Sequence, residues 1–140
     1  MNRLSGKITA LKTSGNMTLV DIDVNGTRMT AVTIGTPEKV HYLQMSKIIE
    51  LIFNESEVSI GKITDGDISL SNQLNCIIEG FVYGEIFTLV KLSFNGKPLT
   101  SLITERSVKR LKLEAGDRVT AFIKTNEVML KEPDGEEDAD

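Results

Sequence analysis

Between Asp67 and Asn75 the chain reads D-I-S-L-S-N-Q-L-N, gathering two hydroxyls (Ser69 and Ser71), the amide of Asn72 and a run of backbone N–H groups. Hydrogen-bond donors without acid/base or metal-ligand partners suit the holding of an oxyanion better than a reaction. No Ser/His/Asp order, nucleophile elbow or phosphate-cradling Gly-rich loop occurs elsewhere. His41, the single histidine, has no second His or Cys with which to ligate a metal, and Cys76 reads as a small core residue. The expectation is a binding protein and not an enzyme, with no metal site and no cofactor.

Composition narrows the setting. The 140 residues contain one cysteine, which cannot form an internal disulfide, so a reducing cytoplasm is the simplest location. No apolar run approaches the length of a membrane span, and M-N-R-L-S-G lacks the apolar core of a signal peptide. The formal net charge of -4 is unevenly spread: six of the twenty acids fall in E-P-D-G-E-E-D-A-D, the last nine residues. Residues 1–131 carry 16 basic against 14 acidic side chains, a net +2. Residues 132–140 are expected to be a disordered acidic tail. The basic residues of the body are dispersed without aromatic interleaving, which argues against nucleic acid as a partner.

The donors must be positioned by flanking elements, and these come twice. Shifting the chain by 70 residues lays Asn2 on Asn72, Leu4 on Leu74 and Ile8 on Ile78. The same shift lays Thr18-Leu19-Val20 on Thr88-Leu89-Val90, Asn25-Gly26 on Asn95-Gly96, and Glu57-Val58 on Glu127-Val128. In each unit an alternating strand (Val20, Ile22, Val24; Ile86, Val90, Leu92, Phe94) runs into Asn-Gly, the type I′ hairpin signal, and returns over 27–33 or 97–103. Thr36-Pro37-Glu38 reads as a helix start in the first unit, and Thr104 caps a helix over 105–111 in the second. Closing strands come next, at 48–53 with 57–60, and at 118–124 with 127–130.

Five strands and one short helix per unit predict an all-β fold of two tandem OB-like five-stranded β-barrels. The expected domains are 1–62 and 63–131, with the boundary in G-K-I-T-D-G-D (61–67). Units this small are marginal alone and should pack on each other and oligomerise.

The second unit resembles the Mop, or molbindin, domain of the TOBE group, small barrels that bind molybdate and tungstate. S-L-S-N-Q-L is similar to that family's S-A-R-N-Q-L opening, and L-I-T-E-R-S-V-K-R-L-K-L-E-A-G-D-R-V to its A-I-T-x-x-S-x-x-x-L-x-L-x-x-G-x-x-V middle. T-A-F-I-K-T-N-E-V-M-L resembles its A-x-I-K-A-x-x-V-x-L ending. The first unit is a diverged copy. The resemblance implies a di-Mop protein that binds molybdate or tungstate at interfaces between domains, with contacts from Ser69, Leu70, Ser71, Thr104, Lys124 and Thr125. Asn72 either joins them or fixes the loop. The family's arginine is Ser71 here, its alanine is Thr125, and Asn54 takes the place of Lys124 in the first unit. A different, mainly backbone site at Ser5 and Gly6 is the candidate there.

The resemblance further implies a homo-oligomer, a trimer by preference, that stores and buffers the oxyanion in the cytoplasm. The alternative is a ligand-sensing module acting through a partner protein. No membrane or nucleic-acid partner is expected.

Overall fold

The computed structural model describes residues 1–62 and 67–133. Part of the expected boundary (63–66) and most of the acidic tail (134–140) lie outside the described residues.

The order of elements is β1 (Asn2–Ser14), β2 (Met17–Val24), β3 (Thr27–Ile34), β4 (Ile48–Phe53), β5 (Ser59–Gly61), β6 (Asn72–Val82), β7 (Phe87–Phe94), β8 (Lys97–Thr104), α1 (Glu105–Leu111), β9 (Arg118–Ile123) and β10 (Met129–Lys131). Single 3-10 turns, Glu55–Glu57 and Thr125–Glu127, come after β4 and β9. Both Asn-Gly pairs have positive φ at both residues (52° and 84°; 50° and 81°), the geometry a two-residue hairpin needs to match strand twist. On β2, Thr18, Val20, Ile22 and Val24 are buried, and on β7, Thr88, Val90, Leu92 and Phe94. Ile86 departs from the expected face: it lies before β7 and is 71% exposed. The bulges also repeat, at Ile8/Ala10 in β1 and Ile78/Gly80 in β6.

The helix expected in the first half is replaced by turns. Thr36 O accepts from Lys39 N and Val40 N, closing one turn. The next residues, Val40, His41 and Tyr42, are poor helix formers, whereas Arg106 to Leu111 supply Arg, Lys and Leu and extend α1. Thr104 caps α1 as expected, its Oγ1 accepting from Ser107 N at 3.1 Å.

The sheets differ from two self-contained barrels. One has the order β10-β4-β1-β2-β3 and the other β5-β9-β6-β7-β8, so the halves exchange their closing strands. Ser59 to Gly61 pair with Phe122 to Thr120, and Met129 to Lys131 with Ile52 to Glu50. Among the described residues no ladder joins β3 to β10 or β8 to β5, so each sheet is open along that seam. One apolar core runs through both halves, from Leu4, Ile8 and Phe53 to Leu74, Phe94 and Ile123.

Two asparagines related by the repeat tie the edges. Asn72, fully buried, accepts from Thr30 N (2.7 Å) and donates to Thr30 O (2.9 Å). Asn2 makes the same pair with Thr100 N and O, each at 2.8 Å. Thr30 and Thr100 lie on the edge strands β3 and β8, so each amide acts as a one-residue strand that satisfies an open edge.

Gly6 shows how closely β1 is packed. A Cβ there would stand 2.5 Å from Asp23 O and within 3 Å of side-chain atoms of Ile22 and Val24. Backbone cannot yield as a side-chain end can. Gly6→Ala is therefore expected to cost about 2 kcal/mol in urea unfolding, within the range for overpacking.

Candidate functional site

β6 and β9 are neighbours, with Asn72 opposite Ile123. The residues just before β6 and just after β9 are thereby brought to the same end of that ladder. There Ser69, Leu70, Ser71, Lys124, Thr125 and Asn126 line an open hollow of about 190 Å³. Five of the six are residues picked out by sequence. Ser69, Ser71 and Lys124 are exposed, and no carboxylate lines the wall. Gln73 Nε2 donates to Leu70 O at 2.8 Å and braces the lead segment.

Lys124 stands at the cap position of the 3-10 turn with extended backbone (φ -67°, ψ 148°) and makes no side-chain cap bond. Glu127 N bonds back to Lys124 O at 3.0 Å, closing the turn. The first turn of such an element leaves N–H groups without internal partners, and here they accompany the ammonium and the Thr125 and serine hydroxyls. Among the described residues Lys124 has no ion-pair partner. The arrangement can receive a small acceptor-only anion. Asn126 escaped the sequence reading, although its place two residues after Lys124 on a turn was a usable signal.

Four of the expected residues lie elsewhere. Asn72 is committed to Thr30, so it anchors the loop and does not face the hollow. Thr104 is paired with Phe87, beyond the Val82 end of β6, whereas the hollow is at the Asn72 end. Its hydroxyl is used by Ser107, accepting from N and donating to Oγ (2.9 Å). Ser5 and Gly6 sit inside β1 opposite Glu50 and Ile49. Glu50 places a carboxylate across the ladder from Ser5, a poor neighbour for an anion.

A larger hollow, about 620 Å³, is lined by Lys62, Asn75, Asn95 and Arg118 among others. Its Lys62 is engaged by Asp117 (3.8 Å) and Lys112 O (3.4 Å), and Arg118 gives the hollow a second cation. His41 Nε2 pairs with Glu132 at 3.0 Å on the surface. No group of three or more His, Cys, Asp or Glu side chains suited to a metal occurs among the described residues. No helix among them is long and apolar enough to cross a membrane.

Burial pushes the Cys76 thiol up to about 11 from 9.0, partly opposed by a backbone hydrogen bond with Ala121. A folded value above the unfolded one means that stability is lost as pH rises between these two values. Alkylation by iodoacetamide at pH 8 is expected to be at least about tenfold slower in the folded chain than in urea, checked by mass spectrometry.

A TOBE domain model matches residues 68–130. Among solved structures, the chain is similar to the cytoplasmic molybdate-binding protein ModG with molybdate bound: 26% identity, TM-score 0.87, covering 94% of this chain and 96% of that one. A molybdate-binding protein from Sporomusa ovata is 34% identical over 41% of this chain and 87% of its own, with a TM-score of 0.41. No curated protein matches the sequence.

Proposed function

We propose, for a chain whose residues 68–130 match a TOBE domain model and whose fold is similar to that of ModG, that it binds molybdate, and tungstate as its near-isostere, in the cytoplasm. The observation that carries this reading is the carboxylate-free hollow in which Ser69, Ser71, Thr125 and turn N–H groups surround Lys124.

The chemistry rests on what each side offers. Molybdate near neutral pH is a tetrahedral dianion with acceptors only, and every polar side chain of the wall can donate, while none is a carboxylate. Charge-assisted bonds from Lys124 supply most of the attraction, and the neutral hydroxyls and N–H groups fix orientation. Monohydrogen phosphate carries an O–H that would face a donor, which disfavours it. Sulfate is acceptor-only and is separated by size alone.

One ammonium does not balance a dianion, so we take the site to be completed by a second copy. Thr104, remote from the hollow of its own chain, serves the hollow of a neighbour in this reading. Beside it Tyr83, Ile86 and Phe87 are more than half exposed, an apolar tip suited to burial between copies. A trimer is the assembly we favour, with storage and buffering of the oxyanion as its role and residues 1–62 and 63–131 as its two domains.

Calorimetric titration with molybdate, tungstate, sulfate and phosphate tests the reading. Saturable heat with the first two and none with phosphate is expected. Absence of heat with molybdate, or equal affinity for phosphate, would overturn it.

A further inference from the structure

The repeat gives the Lys124 turn, though not the Ser69–Ser71 wall of the hollow, a counterpart in the first half, and the two turns are built with opposite chemistry. The 70-residue shift maps Lys124, Thr125 and Asn126 onto Asn54, Glu55 and Ser56. Both triplets come directly after an equivalent strand, β9 or β4, and both cap and open a 3-10 turn with nearly the same backbone: φ -67° and ψ 148° at Lys124, φ -74° and ψ 143° at Asn54. The halves share this geometry but not its donors.

Two of the three changes remove capacity for an anion. Asn54 carries no charge where Lys124 is a cation. Its Oδ1 accepts from Ser56 N and from Ser56 Oγ, both at 2.8 Å, so one of the turn's open N–H groups and a nearby hydroxyl are consumed internally. In the second half Lys124 has no oxygen with which to do this, and the turn keeps its donors. Glu55 then sets a carboxylate where Thr125 offers a hydroxyl. Its Oε1 lies 3.0 Å from the Met1 amino nitrogen, and its own backbone N–H, together with that amino group, holds the carboxyl below the usual range, so it is charged at neutral pH.

We propose that Asn54 and Glu55 close the first half to oxyanions by supplying an internal acceptor set in place of the ligand, so that each chain binds a single anion, at Lys124. This rests on the oxyanion reading above and adds its stoichiometry and its determinants. The two halves then have different duties: the first contributes four strands to one sheet, one to the other and an edge for Asn72, and the second holds the ligand.

Two variants and the wild type, each titrated with molybdate and checked for unchanged thermal unfolding, decide the matter. Wild type is expected to bind one anion per chain, Lys124→Ala none, and the double variant Asn54→Lys/Glu55→Thr a second, weaker one, since the Ser69–Ser71 wall has no counterpart beside that turn. Asn54 is exposed and Glu55 half-buried on a turn outside the core, so folding is expected to survive. Two anions per wild-type chain, or one retained by Lys124→Ala, would overturn the proposal while leaving the oxyanion function standing. A double variant that stays at one would show that Asn54 and Glu55 are not the determinants. No binding by wild type would instead strike the functional reading itself.

Discussion

Lys124→Ala is expected to weaken molybdate binding by about 100-fold or more, with urea unfolding shifted by less than about 0.5 kcal/mol. The two parts of this result come from the same observation. Lys124 is exposed, caps no turn through its side chain and has no ion-pair partner among the described residues, so the fold does not depend on its ammonium. The ligand does, because a dianion desolvated in the hollow would otherwise face only neutral donors. A hydrogen bond to a charged group contributes about 1.5–3 kcal/mol, and one that also offsets ligand charge lies at the upper end. Lys124→Arg should retain part of the affinity, since charge is kept while the compact ammonium is exchanged for a planar fork. Titration of the three proteins with molybdate, alongside their unfolding curves, measures both halves of the prediction.

Asn72→Ala is expected to show the reverse pattern, a loss of about 3 kcal/mol in stability. Removal of this side chain strands two buried backbone groups, the N–H and the C=O of Thr30, and each such loss costs about 1–3 kcal/mol. Water cannot readily replace the amide, because Asn72 is fully buried and Thr30 nearly so. Asn72→Asp should be no milder: a carboxylate could accept from Thr30 N but would face Thr30 O without a proton to donate. Asn2→Ala removes the matching clamp on Thr100 and should cost a similar amount. Urea unfolding monitored by circular dichroism checks these values, and a slope unchanged from wild type would confirm that the native fold, and not its compactness, has been weakened.

Much of the architecture was legible because it is written locally. The Asn-Gly turns, the alternation on β2 and β7 and the Thr104 cap are short-range signals, and the 70-residue repeat made each one count twice. The strand exchange was not legible in that way. Ser59–Gly61 and Met129–Lys131 look like strands wherever they pair, and three residues carry no information on which sheet will take them. The missing first-half helix shows a cap signal, Thr36-Pro37-Glu38, overruled by the residues after it, since Val40, His41 and Tyr42 do not sustain the turn.

The candidate site divides along the same line. Ser69, Leu70, Ser71, Lys124 and Thr125 converge because β6 and β9 pair in a register that brings the ends of two distant motif blocks together. Asn72 belonged to the same block yet points into the protein, since successive residues entering a strand face opposite sides. Its partner, Thr30, lies 42 residues away and nothing in the local pattern announces it. Thr104 is separated from the hollow by the length of β6, a distance that no motif records.

The most direct test of the account is to mix the purified chain with excess molybdate, pass it through gel filtration and measure molybdenum in the protein fraction. Molybdenum should travel with the wild-type protein and be absent from the Lys124→Ala fraction. A wild-type fraction free of molybdenum, or a Lys124→Ala fraction that carries as much as wild type, would contradict it.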